Sequence, residues 1–404
     1  MSLPLYSRRH FLQVAGLGLA GMPFVLSSCA SMLTSEKGPQ SKEEYLVYVG
    51  TYAKPEEDSI YLYKLNVSTG ALTRLGSTKA GANPSYLTLD SRREHLYAVN
   101  ETTDFQGKAS GAVSAFAIDQ KSGRLAFLNQ QSALGSAPCY ISLDKMNRYA
   151  LVASYLGGNV GMLPIEPNGE LAPIADTQQH TGSGPHKNQN APHAHCILPD
   201  PANRFVFAVD LGTDKVYGYQ LDAKEDALEP MAMPAFTAAP GAGPRHLTFH
   251  PGGQLAYLIN ELNSTITALR YDEGAGTFQE IQTLTTLPPD FKGINSCADI
   301  HVSPNGEFLY GSNRGHDSLV VYAIDIPSGR LTLVQHVPTQ GQKPRNFTID
   351  PTGQLVLVAN QATNNIVTFR VDRETGKLTP TGKSVQVPAP VCLQVVEDFT
   401  RRSA

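Results

Sequence analysis

From Pro244 to Phe278 the chain reads PRHLTFHPGGQLAYLINELNSTITALRYDEGAGTF. Apolar and polar positions alternate with period two over Arg245–Phe249, and His250-Pro-Gly-Gly interrupts them. An apolar β-rich run, Leu255–Ile259, then ends in Asn260-Glu261, and a third run covers Thr265–Tyr271. A glycine-containing turn leads into a fourth run. Alternating runs bounded by Gly, Pro, Asn and Asp are the signal of strands joined by hairpins. The stretch predicts a four-stranded antiparallel meander.

The meander recurs. Pro344–Leu378 and Cys297–Leu331 copy it closely, and weaker copies begin at Pro84, Pro138 and Ala194. The turn before the fourth strand provides a second count: STGAL, KSGRL, PNGEL, KEDAL, GAGTF, PSGRL and ETGKL, seven copies spaced 46 to 57 residues apart. A repeat of this length with four strands is a propeller blade, because a single blade cannot bury both faces alone. The first copy, Tyr45–Gly76, lacks its first strand, while PVCLQVV (390–396) starts a unit and stops. Joining the two predicts an all-β, seven-bladed β-propeller whose C-terminal strand enters the N-terminal blade. Closing the ring removes the free sheet edge that would otherwise template aggregation.

Four hundred residues ordinarily suggest two or three domains; the repeat assigns residues 45–397 to one. The formal net charge of −4 and the lack of a basic run exclude a nucleic-acid partner. Residues 1–29 stand outside the repeat. Ser7-Arg8-Arg9-His10-Phe11-Leu12 is close to a twin-arginine export pattern, and the apolar Val14–Leu26 is too short to span a membrane but suits a signal peptide. Leu26-Ser27-Ser28-Cys29 resembles a lipobox. The expectation is an exported periplasmic or cell-envelope protein, held to the membrane only through lipid on Cys29. Residues 30–44 form a flexible tether and 398–404 a tail. Cys139, Cys196, Cys297 and Cys392 all fall on first strands of different blades, which predicts buried thiols and no bridges.

Equivalent positions of a closed ring lie at equal heights around its axis. The residue after the aligned proline reads Ser85, Cys139, His195, Arg245, Ala298, Arg345 and Val391 around the ring. The next reads Tyr86, Tyr140, Cys196, His246, Asp299, Asn346 and Cys392. The second strand returns to the same mouth with Thr51, Asn100, Ser154, Asp210, Asn260, Asn313 and Asn360. Tyr52, Glu101, Tyr155, Leu211, Glu261, Arg314 and Gln361 follow them. Polar and charged residues concentrate in four successive blades, the other three offering Ser, Cys, Tyr, Val and Glu101. A structural repeat has no need of Arg245, Glu261 or Arg314 where sister blades hold small groups. Those three, with His195, are the foremost functional candidates, and the catalytic role given to His195, Arg245, Glu261 and Arg314 is what the family resemblance below implies. His193, Asp210, His246, Asn260, Asp299, Asn313, Arg345 and Gln361 are the substrate-binding candidates. The recurrence of Asn100, Asn260, Asn313 and Asn360 at one slot also has a structural explanation in hydrogen bonds between blades.

An insertion, HTGSGPHKNQNAPHAH (180–195), carries four histidines, His193 and His195 being two apart and hence on one strand face. No metal-motif spacing accompanies them. The expectation is a loop over the mouth with His195 reaching in, and no metal. G-x-S-x-G, phosphate-cradling glycine loops and H-E-x-x-H are absent, which argues against a serine-hydrolase mechanism.

Over residues 45–397 the chain resembles the propeller lactonase family, which includes propeller-type 6-phosphogluconolactonases and carboxymuconate-lactonising cyclases. The carriers are GSGPH (182–186), PHAH (192–195), VDLGTDKVYGY (209–219), GPRHLTFHP (243–251), NEL (260–262), SPNGEFLYGSNRGHDSL (303–319) and PRNFTIDPTGQLVLVANQ (344–361). The resemblance implies lactone chemistry with no obligatory cofactor. The His, two Arg and Glu proposed for the cyclases map onto His195, Arg245, Arg314 and Glu261. The leading expectation is hydrolysis of a sugar-type, anionic lactone, with His195 or Glu261 as base. A lactonising cycloisomerase and a non-catalytic envelope-binding propeller are the alternatives.

Overall fold

The computed structural model describes residues 44–399. The period-two runs become strands, β1 (Glu44–Thr51) through β29 (Pro390–Glu397), in seven antiparallel sheets. The inner strands of blades two to seven are β4 (Pro84–Leu89), β8 (Pro138–Leu143), β12 (Ala194–Pro199), β17 (Pro244–Phe249), β21 (Ser296–Val302) and β25 (Pro344–Ile349). Blade one takes β29 as its inner strand: Leu46 pairs with Val396 and Gly50 with Cys392, so the ring closes as the orphan strand predicts. The signal segment, Cys29 and tether residues 30–43 lie outside the described residues, whereas Glu44 already opens β1 and Phe399 of the expected tail packs into the core shared by blades one and two.

Buried apolar side chains gather in seven clusters, each shared between neighbouring blades. Tyr149, Leu151 and Val160 of blade three pack with Val206 and Tyr219 of blade four, and Phe308 and Tyr310 of blade six with Val356 and Phe369 of blade seven. Each blade's second face is thus covered by its neighbour, as the repeat argument requires. The recurring turns lock these interfaces. Gly123 and Gly376 take φ of +70° and +71°, which an L side chain rarely adopts, and Asp226 fills the same turn position in KEDAL at +50°. The Gly123 and Gly376 carbonyls accept hydrogen bonds from Tyr48 (2.7 Å) and Tyr310 (3.1 Å) of the preceding blade. The four remaining cysteines are free and buried, as expected.

Two details go beyond the repeat. Blade four carries a fifth, two-residue strand, β16 (Phe236–Thr237), paired with β14 (Lys215–Asp222). Second, the inner strand of every blade has a bulge at one position. Pairing jumps from Pro84 to Tyr86, Pro138 to Tyr140, Ala194 to Cys196, Pro244 to His246 and Pro344 to Asn346. In β21 it jumps from Cys297 to Ile300, and in β29 from Pro390 to Cys392. The skipped residues include Ser85, Cys139, His195, Arg245, Ala298, Arg345 and Val391, the slot after the aligned proline. A bulged residue leaves the ladder and its side chain is re-aimed.

Candidate active site

The bulges and the ends of the second strands build one mouth in layers. Its floor is the position after the bulge. Tyr86 stacks on Tyr140 with centroids 4.2 Å apart, and Tyr140 meets the ring of His246 edge-on at 5.2 Å. Asp299 anchors this floor. It accepts from His246 Nδ1 (2.9 Å), His301 Nε2 (3.0 Å) and Asn346 Nδ2 (2.6 Å), joining three blades. Burial raises the Asp299 carboxyl, but His301 and His246 outweigh it and hold the group far below the usual carboxylate range.

Above the floor sits a cluster of opposite charges. Glu261 Oε2 lies 2.9 Å from Arg245 Nε and 2.8 Å from Arg314 Nη2. The Arg245 N–H is not aimed along that line, so the first contact is an ion pair and not a hydrogen bond. Arg245 Nη1 also donates to the Ala298 carbonyl and lies 3.1 Å from His246 Nε2; Arg314 Nη2 donates to the Cys297 carbonyl. Among the described residues nothing accepts from Arg245 Nη2 or Arg314 Nη1. Burial, then Arg314 and Arg345, draw Arg245 down to about 10. Burial pushes Glu261 up, but Arg314 and Arg245 together hold it below its ordinary value, so it stays a carboxylate.

His195 stands beside this cluster, its ring 5.3 Å from that of His246 and 5.6 Å from that of Tyr155. Burial, then the Arg245 charge, lower its pKa well below the ordinary imidazole value, so the ring is neutral at neutral pH. Cys139, bulged in the adjacent blade, places Sγ 3.7 Å from Nδ1. The thiol proton has two acceptors that can only accept, the carbonyls of Ala194 (3.7 Å) and His195 (3.8 Å). Burial, then Glu101, push this thiol far up, so it keeps its proton and offers Nδ1–H a sulfur lone pair. That pairing leaves His195 Nε2 as an unprotonated acceptor with no partner among the described residues. His193 donates from Nδ1 to the Tyr155 carbonyl (2.9 Å) and stacks on the Tyr155 ring at 4.4 Å.

Arg345, Tyr52 and Glu101 adjoin Cys139 from blades seven, one and two. The Tyr52 hydroxyl donates to Glu101 Oε2 (2.8 Å), and the Arg345 guanidinium lies over the Tyr52 ring at 5.4 Å. Gln361 is on the same rim, half-buried.

The structure therefore brings His195, Arg245, Glu261 and Arg314 together, with His193, Arg345 and Gln361 at the same mouth. It turns five substrate-binding candidates away. His246 and Asp299 belong to the floor, their polar atoms committed to each other and to neighbouring blades. Asp210, fully buried, accepts from the His193 and Thr213 amides and from His180 Nδ1 (2.7 Å). Asn313 clamps the carbonyl of Thr286 in the connection from the preceding blade, and Asn260 donates to Thr265 and Thr267 of its own blade. The physical reason is alternation. Asn260 and Glu261 are adjacent, so when Glu261 faces the mouth Asn260 faces into the blade.

The insertion is also placed differently. His180 is held by Asp210, Tyr219 (2.9 Å) and a stack on Tyr217 (4.0 Å), and Gln189 by Asp214 and the Leu211 carbonyl. These contacts tie 180–192 to the flank of blade four, and His193 and His195 reach the mouth. They do not share a strand face: His193 precedes β12 and His195 is its bulge, so the two rings flank Tyr155. Among the described residues, Asp90, Glu94 and His95 at the opposite end have ligand atoms close enough for a metal. Asp90 is already spent on the Glu94 amide and on His95.

Tyr52, Glu101 and Tyr155 are mouth residues that the sequence reading passed over. Burial, then Glu261, push the Tyr155 hydroxyl up to about 12, so it is a donor at neutral pH. Their signal was present, since all three occupy the rim slot of Glu261 and Arg314.

The family model "Lactonase, 7-bladed beta-propeller" matches residues 46–395. The chain is 40% identical over 351 residues to a 6-phosphogluconolactonase of Bacillus subtilis, covering 87% of this chain and 98% of that one. It is 35% identical over 311 residues to a 6-phosphogluconolactonase of Formosa agariphila, covering 75% and 86%. The solved structure of a periplasmic gluconolactonase of Pseudomonas aeruginosa superposes with a TM-score of 0.81 at 34% identity, covering 87% of this chain and 99% of that one.

Proposed function

The chain belongs to the seven-bladed β-propeller lactonase family, and from that premise we propose that it hydrolyses a sugar-type lactone in this mouth, with His195 as general base. The observation that carries the reading is a buried His195 beside Arg245, whose guanidinium shares the Glu261 carboxylate with Arg314, both keeping an N–H that no described residue accepts. Water attacks the lactone carbonyl carbon while His195 Nε2 takes its proton. The negative charge that develops on the carbonyl oxygen is met by Arg245 and Arg314, in a shielded site where such donors act strongly. When the tetrahedral intermediate collapses, the ring C–O bond breaks and the imidazolium returns its proton to the departing alkoxide. The product is the open hydroxy acid. Cys139 and Glu261 act as positioning residues, the first selecting the His195 tautomer, the second fixing both guanidiniums.

Above the Asp299 floor, three guanidiniums stand against two carboxylates, an arrangement that favours an anionic lactone. The test is lactone opening by the purified protein at mildly acidic pH, where the spontaneous reaction is slow. Neutral, carboxylate-bearing and phosphorylated sugar lactones are compared. Turnover of at least one well above the spontaneous rate is expected; none above it overturns the reading.

The export pattern at residues 7–12 and the lipobox-like Leu26–Cys29 motivate a further proposal, that the protein works outside the cytoplasm on a lipid anchor. Cys29→Ala should move it from the membrane fraction to a soluble or unprocessed form. Unchanged fractionation would rule the anchor out.

A further inference from the structure

The three guanidiniums of the mouth are not equivalent. Arg245 and Arg314 share one carboxylate oxygen and each also donates to a backbone carbonyl. Arg345 has no hydrogen bond to any described residue. Its nearest carboxylate oxygen, on Glu101, is 4.0 Å away, beyond hydrogen-bond length, and that oxygen already accepts from the Tyr52 hydroxyl. What Arg345 packs on is the face of Tyr52, a contact that leaves its N–H fork unspent. The side chain is 18% exposed, so this fork is largely shielded from water yet opens into the mouth. Arg345 is in blade seven and His195 in blade four, three blades around the seven-bladed ring. The Arg345 charge nonetheless acts on His195, Arg245 and Glu261, so an anion held on this fork lies in the same mouth as the reacting group.

We propose that Arg345, framed by Tyr52 and Glu101, is the subsite for an anionic substituent of the sugar lactone, a carboxylate or a phosphate, while Arg245 and Arg314 serve the reacting ester. The proposal rests on the lactonase reading above and assigns recognition of the anion to the guanidinium that Glu261 does not pair. A planar fork with unspent donors matches two oxygens of either group. Glu101 sets the preference between them. Its carboxylate stands beside the bound anion, so a monoanionic carboxylate is accepted more readily than a dianionic phosphate.

The test compares Arg345→Gln with the parent protein on three substrates: a neutral δ-lactone, a carboxylate-bearing sugar lactone and a phosphorylated one. Arg345→Gln should raise KM for a charged substrate about 10–100-fold, the loss of a charge-assisted pair, with kcat retained and the neutral lactone changed little. Arg345→Lys keeps the charge without the fork and should fall between. Glu101→Gln should shift the parent's preference toward the phosphorylated lactone. Equal losses on neutral and charged lactones, or no loss on either charged one, would overturn the subsite. Turnover of the neutral lactone by the parent protein reports separately on the lactonase reading. If Arg345→Gln does not fold, the Arg345→Lys substrate ratio decides the matter alone.

Discussion

Replacing His195 with Ala lowers kcat about 10²–10⁴-fold, the range supplied by a positioned general base, and leaves KM within a few-fold. The active form of His195 is the neutral ring. Burial and Arg245 depress its pKa well below the ordinary imidazole value. The parent protein therefore keeps its activity as the pH drops below that ordinary value, and loses it only as the pH falls through the depressed one. In the His195→Ala protein the residual activity has no such acidic limb. His195→Gln retains most of the volume beside Tyr155 and His246 and separates chemistry from packing: it should melt close to the parent and still be slow. An active His195→Gln protein with an unchanged pH profile would remove His195 from the mechanism. Cys139→Ala should cost less than His195→Ala, because it withdraws only the sulfur that receives Nδ1–H and frees the ring to change tautomer.

How far the sequence alone reached can be seen at particular residues. Closure of the ring was legible because Pro390–Val396 repeats a first strand that Tyr45–Gly76 lacks, and a strand without partners must find one. The gathering of His195, Arg245, Glu261 and Arg314 was legible because equal repeat positions share a height. The bulge that takes His195, Arg245 and Arg345 out of the ladder was not legible from its own occupants, since Ser, Cys, His, Arg, Ala and Val all stand there, and the proline before it in five blades also suits a plain strand start. The assignment of Asn260 and Asn313 to substrate failed for a related reason. Repeat position gives height but not the direction a side chain points, and neighbours on a strand point to opposite faces. Glu101 and Tyr155 lie outside the four adjacent blades where charge concentrates in the sequence, whereas the mouth draws on the whole ring. Tyr52 and Arg345, far apart in sequence, meet only because the last blade lies beside the first.

Glu261 and His195 both qualified as the base on sequence, and Glu261→Gln tells them apart. The Glu261 carboxylate is held by two guanidiniums and its pKa is depressed, so it is a poor proton acceptor. Its visible task is to keep Arg245 and Arg314 close together despite their like charge. Glutamine fills the same space but supplies no counter-charge. Arg245, already drawn down to about 10, is then pushed lower by Arg314 and Arg345, and the two guanidiniums move apart. With the oxyanion donors displaced, kcat should fall by about 10²–10³, the loss typical of one such donor. Stability should fall as well. Removing one partner of a buried pair costs about 3–5 kcal/mol, and the low end applies here because Glu261 is 18% and Arg314 14% exposed. Arg314→Gln in the same chain relieves the repulsion and should recover part of the melting temperature but none of the rate. The acidic limb set by His195 should survive in Glu261→Gln. Were that limb to vanish there and persist in His195→Ala, Glu261 would be the base and His195 only a wall of the site.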